Sequence, residues 1–130
     1  MKHNIIAEKS SAFAVRIVNL TRLLRKKKVE AVLINQLLRS GTSVAANVHE
    51  ATVSISKDEF SSKISISLKE SRETNFWLKV LFDTKTISDK EYDSISKDCT
   101  ELEKILYSIM KKVRINKEAG QWGVGKLIIN

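Results

Sequence analysis

Few residues of this chain combine a reactive type with a spacing that chemistry could use. Histidine occurs as His3 and His49 alone, and cysteine as Cys99 alone. Metal sites inside helical bundles use Glu-x-x-His pairs on facing helices. Here His49 precedes Glu50 instead of following a glutamate by three, so ligand spacing is missing. Glu50, Glu70 and Glu73 are carboxylates that a bundle could gather, but no histidine accompanies them. The sequence holds no glycine-rich phosphate loop and no nucleophile with a matched base. The expectation is a protein that is not an enzyme, with no catalytic residues, metal or cofactor.

What the chain does advertise is positive charge. The formal net charge is +8, and residues 1–28 hold eight Lys and Arg against Glu8, a net +7. The remaining segments are close to neutral. Charge of one sign gathered on one element favours a polyanionic partner, through counterion release and steering. Arg16, Arg22, Arg25, Lys26, Lys27 and Lys28 are therefore the candidate nucleic-acid-binding residues. Cations at the end of a helix also suit its negative pole, which explains part of the cluster without any ligand.

The elements that would position these cations are helices. In 130 residues proline is absent and Gly41 is the only glycine before Gly120, so the tight turns of a β-rich fold have no residues to make them. That length suits one domain with a real core. A lone cysteine cannot close an internal disulfide, which fits a reducing cytoplasm. A charge at Lys2 comes too early for a signal peptide, and no apolar run nears the ~18–20 residues of a membrane span. A cytoplasmic protein without membrane contact is expected.

Periodicity places the helices at about 5–26, 29–51, 57–82 and 89–114. In the first, Ile6, Phe13, Ile17, Leu20 and Leu24 form an apolar stripe, and Ile5, Ala12, Val15 and Leu23 broaden it enough to face another chain as well. In the second, Val32, Leu33, Gln36, Leu37, Ser40, Val44, Asn47, Val48 and Ala51 follow bundle spacing. Ser56-Lys-Asp-Glu59 and Ser88-Asp-Lys-Glu91 are capping boxes that start the third and fourth. The third should turn Phe60, Ile64, Leu68 or Ser67, Ser71, Asn75, Leu78 and Phe82 inward. The fourth carries Tyr92, Ile95, Cys99, Leu102, Leu106, Ile109 and Val113 on one seam, with Cys99 a buried free thiol. This is an all-α chain, an up-down-up-down antiparallel four-helix bundle over residues 1–114. The segment 115–130, with three glycines, Trp122, Leu127, Ile128 and Ile129, is expected to dock on its own or a neighbouring chain.

One stretch of the second helix stands out: Arg39-Ser-Gly-Thr-Ser-Val-Ala-Ala-Asn-Val-His-Glu-Ala51. Glycine inside a helix costs roughly 1 kcal/mol relative to alanine, so Gly41 implies a close approach of backbones. The expectation is a seam between the second and third helices, and between subunits, with Asn47 and Glu50 near the buried side.

That stretch, followed by Lys57-Asp-Glu-Phe60 and Leu68-Lys-Glu-Ser-Arg-Glu73, resembles the four-helix-bundle family of 23S rRNA intervening-sequence proteins. The same family includes the accessory variability protein of diversity-generating retroelements. His49 and Ala51 depart from its usual Ala or Ser and Gly after the asparagine. The resemblance implies a ring-like homo-oligomer, a homopentamer of bundles with a basic surface. It also implies a partner among RNA, DNA and, for the retroelement members, a reverse transcriptase. Arg39, Asn47 and Glu50 match the motif and, with Gly41 and Ser43, are assigned to packing and subunit contacts. The functional expectation is a basic, oligomeric nucleic-acid-binding adaptor of low sequence selectivity. The competing expectation is a scaffold that recruits an acidic protein.

Overall fold

The computed structural model describes residues 4–118, with side chains placed as far as Arg114. These residues form four helices: α1 (Ile5–Lys26), α2 (Ala31–Thr52), α3 (Lys57–Asp83) and α4 (Asp89–Glu118). Among the described residues there is no strand. Helix α2 starts two residues later than periodicity suggests, after Val29 and Glu30 complete the turn. Helix α4 runs past the expected boundary at 114, and the docking expected of the C-terminal segment lies outside the described residues.

Local chemistry explains the helix starts. The Asn4 side chain accepts from the Ala7 amide at 3.1 Å and caps α1, a signal the periodicity did not reveal. At α3 the Ser56 hydroxyl accepts from the Glu59 amide at 3.1 Å, and the Glu59 carboxylate accepts from Ile55 N–H. At α4 the box is reciprocal: Ser88 Oγ accepts from Glu91 N–H at 3.1 Å while Glu91 Oε1 accepts from Ser88 N–H at 2.9 Å.

The helices pack in chain order as an antiparallel bundle, each against its sequence neighbour, with the α1–α4 side the most sparingly closed. Cross-helix bonds fix the register. Arg25 reaches Asn35 and Ser11 reaches His49 between α1 and α2, while Lys9 reaches Glu101 and Arg16 reaches Asp98 between α1 and α4. The core holds Ile6, Phe13, Ile17 and Leu24 of α1, Leu37, Val44 and Val48 of α2, Phe60, Ile64 and Leu78 of α3, and Ile95, Cys99, Leu102 and Leu106 of α4. The inward set differs from the expected one at several places. Val32 is exposed, and Ile34 takes its core position. On α3, Thr74 and Leu81 are buried where Asn75 and Phe82 were expected, and those two are half-buried on the flank facing α4. Phe82 stacks there on Tyr92 with centroids 4.4 Å apart.

The small-residue seam divides between two partners. Gly41 faces α1, where an added Cβ would lie 2.7 Å from Ile17 Cγ1. The glycine therefore sets the α1–α2 approach, a correction to its expected place against α3. The α2–α3 contact is made by hydroxyls instead. Ser67 Oγ donates to the Val44 carbonyl at 2.8 Å, and Thr74 Oγ1 donates to Ser40 Oγ at 3.0 Å. Short hydroxyl side chains let these two helices sit close while every buried side-chain polar atom among the described residues keeps a partner. Cys99 is fully buried, and its thiol donates to the Ser71 carbonyl at 3.2 Å.

Candidate nucleic-acid interface

The basic residues of α1 lie at the end of the bundle where α1 and α3 finish and α2 and α4 begin. Both helix ends close in the same way. After α1, the Lys28 amide bonds to Arg25 O and the Val29 amide to Leu24 O; after α3, Lys85 bonds to Phe82 O and Thr86 to Leu81 O. This paired pattern needs a left-handed residue just past the cap, ordinarily glycine. Here lysine takes both places, with φ of 58° at Lys28 and 59° at Lys85. A lysine in that conformation costs about 1–2 kcal/mol. The two strained turns present their ammonium groups at the same end of the molecule. Lys85 is a cation that charge counting missed, because it lies in a segment of nearly balanced charge.

The six candidate cations do not share one fate. Arg22, Arg25, Lys26, Lys27 and Lys28 are exposed, and none of them joins a salt bridge among the described residues. Arg25 donates to Asn35 Oδ1 at 3.3 Å, which steadies the side chain without neutralising it. Arg16 is different. Its guanidinium donates to Asp98 Oδ2 at 2.6 Å and to Ser94 Oγ at 3.1 Å, and so ties α1 to α4. It is a strut of the bundle, a correction to its expected place beside the others.

The end is not uniformly positive. Glu30, Asp83, Asp89 and Glu91 stand on the same turns as the lysines. The Glu91 carboxyl is held below the usual carboxylate range by the Ser88 amide and hydroxyl, and the Lys27 charge adds to that effect. Beside this end, α1 and α4 leave a groove of about 290 Å³ lined by Leu20, Leu23, Ile87, Ile95, Arg16 and Glu91. Its size is at the low edge of small-molecule sites, which run about 300–1,000 Å³.

The motif residues are drawn together on another face. Arg39 of α2 donates to Glu70 at 3.0 Å and to Glu73 on α3, and its Nε donates to Gln36 at 3.3 Å. Trp77 donates its indole N–H to Glu73 Oε2 at 3.0 Å. The indole contact, then the Arg39 guanidinium, lower the Glu73 carboxyl, and the bond to Glu73 raises Arg39. Glu70 and Glu73 thus meet on Arg39 and serve a bridge between α2 and α3, while Glu50, the third carboxylate the sequence offered, stands apart from them on Lys63. Asn47 bonds to the Ser43 carbonyl within α2 at 2.9 Å, so Ser43 enters through its backbone. Glu50 is exposed and pairs with Lys63 of α3 at 2.7 Å, which corrects its expected place on the buried side. On the far side of α3, Asn75 donates to Glu103 of α4, which Arg72 also approaches at 3.6 Å. His49 shares a 2.8 Å hydrogen bond with Ser11 across α1 and α2. Among the described residues no three His, Cys, Asp or Glu side chains gather in a way that could hold a metal ion. No described helix is long and apolar enough to cross a membrane.

Comparison with known proteins agrees with this architecture. A crystal structure from Bacteroides thetaiotaomicron, described as a protein of unknown function from the S23 ribosomal protein family, superposes with a TM-score of 0.80. It is 46% identical and covers 82% of this chain and 98% of its own. No curated protein matches the chain. The profile of the 23S rRNA-intervening sequence proteins matches residues 2–108, which takes in α1, α2, α3 and most of α4. The chain belongs to the 23S rRNA-intervening sequence protein family.

Proposed function

We propose that this protein is a non-enzymatic nucleic-acid-binding adaptor of low sequence selectivity, acting as a homo-oligomer, with RNA or DNA held at the basic end of the bundle. The observation that carries this reading is the exposed set Arg22, Arg25, Lys26, Lys27 and Lys28, which the fold leaves without salt bridges among the described residues, joined by Lys85 from the next turn. Point charges on flexible stems, with no base-reading element beside them, suit phosphates and not sequence. Repeating this end around a ring of subunits, five by the family resemblance, would multiply phosphate contacts through avidity. The exposed apolar residues Val15, Leu23 and Phe76 favour burial against further copies.

The reading is tested by gel shift with the triple variant Arg25→Glu, Lys26→Glu, Lys27→Glu. The expected result is loss of RNA and DNA binding with helicity intact. Unchanged binding would sink it. Mass measurement in solution, with and without RNA, gives the subunit count.

A second reading has one observation of its own. Leu23 and Val32 are exposed beside the cations, and phosphates make no use of apolar side chains. An acidic protein with an apolar face would engage both. A pull-down that returns one protein partner and protects no RNA would favour this reading.

A further inference from the structure

Beside the cationic end the bundle is left partly open. Of the neighbouring helices α1 and α4 touch least, and the groove of about 290 Å³ lies in the gap between them. On the α4 side it is walled by Ile95, with Ile87 from the preceding turn, and both are buried. On the α1 side it is walled by Leu20, half-buried on the core, and by Leu23, 42% exposed. Arg16, held by Asp98 and Ser94, separates this groove from a second hollow of about 210 Å³ further along the same two helices. In the other direction Lys26 and Lys27 follow Leu23 by three and four residues. They therefore stand on the same face of α1 about one turn, or about 5.4 Å, beyond it. The Lys27 charge acts on Glu91, which lies on the rim of the groove.

Phosphates have no use for Leu20, Leu23, Ile87 and Ile95, but the face of a nucleobase does. We infer that the groove seats one unpaired base of a single strand while Lys26 and Lys27 hold the flanking phosphates. This rests on nucleic-acid binding at the basic end and narrows its substrate class to single-stranded nucleic acid. Size agrees, since a groove at the low edge of small-molecule sites suits a single ring system. Apolar walls take the face of any base, as sites for extruded bases do. Exposed Asn19 at the mouth offers a donor and an acceptor, so it meets the polar edge of any base without choosing among them. The Glu91 carboxylate repels phosphate, so the base enters the groove and the backbone stays at the lysines. In a duplex the bases are stacked and paired, and extruding one costs free energy that a single strand is spared. The groove thus selects for strand state and not for sequence.

The test titrates the full chain, at one salt concentration, with three labelled DNA probes of equal length. They are a mixed-sequence single strand, the corresponding duplex, and an abasic strand that keeps every phosphate. The single strand should bind about tenfold more tightly than the abasic strand. It should also bind more tightly than the duplex, although the duplex carries the denser charge. Leu23→Ser should remove the preference and Leu23→Met should retain it, with helical circular dichroism and mass in solution unchanged. Three probes bound equally overturn this inference and leave phosphate binding standing. None bound overturns both, and leaves the groove and its cations to an acidic protein. A preference that survives in Leu23→Ser also overturns it. So does one lost together with a change of mass, which would assign Leu23 to a contact between copies.

Discussion

Ile17 of α1 occupies the space that a side chain at position 41 of α2 would need: a Cβ on Gly41 would stand 2.7 Å from its Cγ1 and 2.8 Å from its Cγ2. Ile17 is fully buried and has no room to retreat. Gly41→Ala gains about 1 kcal/mol of helix propensity but overpacks the seam, at a cost of about 1–3 kcal/mol and more if α1 must shift. The expected outcome in urea denaturation is net destabilisation of up to about 2 kcal/mol, and more if α1 is displaced. Ile17→Ala should reverse the sign of the Gly41→Ala effect, since it empties the contested volume. Purely additive effects in that double-mutant cycle would show that the contact does not govern the site.

Helix α4 depends on its reciprocal cap. Ser88→Ala removes the acceptor for Glu91 N–H and should cost about 1 kcal/mol, as should Ser56→Ala at α3. Thermal unfolding of the two variants checks this. The two losses should be alike, because each substitution removes one hydroxyl acceptor and leaves the carboxylate bonded to a backbone amide, Ser88 N–H at α4 and Ile55 N–H at α3.

Acid should weaken the fold through Glu73 and Glu91. Both have carboxyl values lowered from the ordinary 4.5: Glu73 first by the Trp77 indole and then by Arg39, Glu91 first by the Ser88 amide. A lowered folded value means that the stabilisation is present above about 4.5 and is lost as pH falls through the folded value. The melting temperature should hold from neutral pH to about that point and then decline. Glu73→Gln should flatten the decline and lower stability at neutral pH by only about 0.5–1 kcal/mol, since Arg39 is largely in solvent. A decline of the same depth in Glu73→Gln and Glu91→Gln would place the acid sensitivity elsewhere.

The bundle itself was legible from spacing, because a strict seam such as Ile95, Cys99, Leu102, Leu106 and Ile109 admits one buried face. Direction around the helix was harder. Gly41 announced a close approach, but a helix with neighbours on both flanks gives no local sign of which one its glycine meets. Asn75 and Phe82 are apolar or small enough to read as core, yet a wide inward arc on α3 lets Thr74 and Leu81 take those places with hydroxyl and methyl groups satisfied inside. Arg16 counted as free charge because its partner Asp98 lies on α4, a separation no local pattern reports. Lys85 was hidden for the opposite reason: its role comes from a backbone turn, not from the charge around it.

The central claim, that the basic end binds phosphates, is tested most directly by the salt dependence of affinity. Anisotropy titrations of labelled RNA across a salt series should give a steep log–log slope, about −0.7 to −0.9 for each phosphate neutralised. Replacing Arg22, Lys26, Lys28 and Lys85 by Ala should make the slope shallower in proportion to the phosphates no longer neutralised, whereas Arg16→Ala should lower stability and leave the slope alone. A slope that is flat in the parent protein, or equally steep in the four-residue variant, contradicts the account.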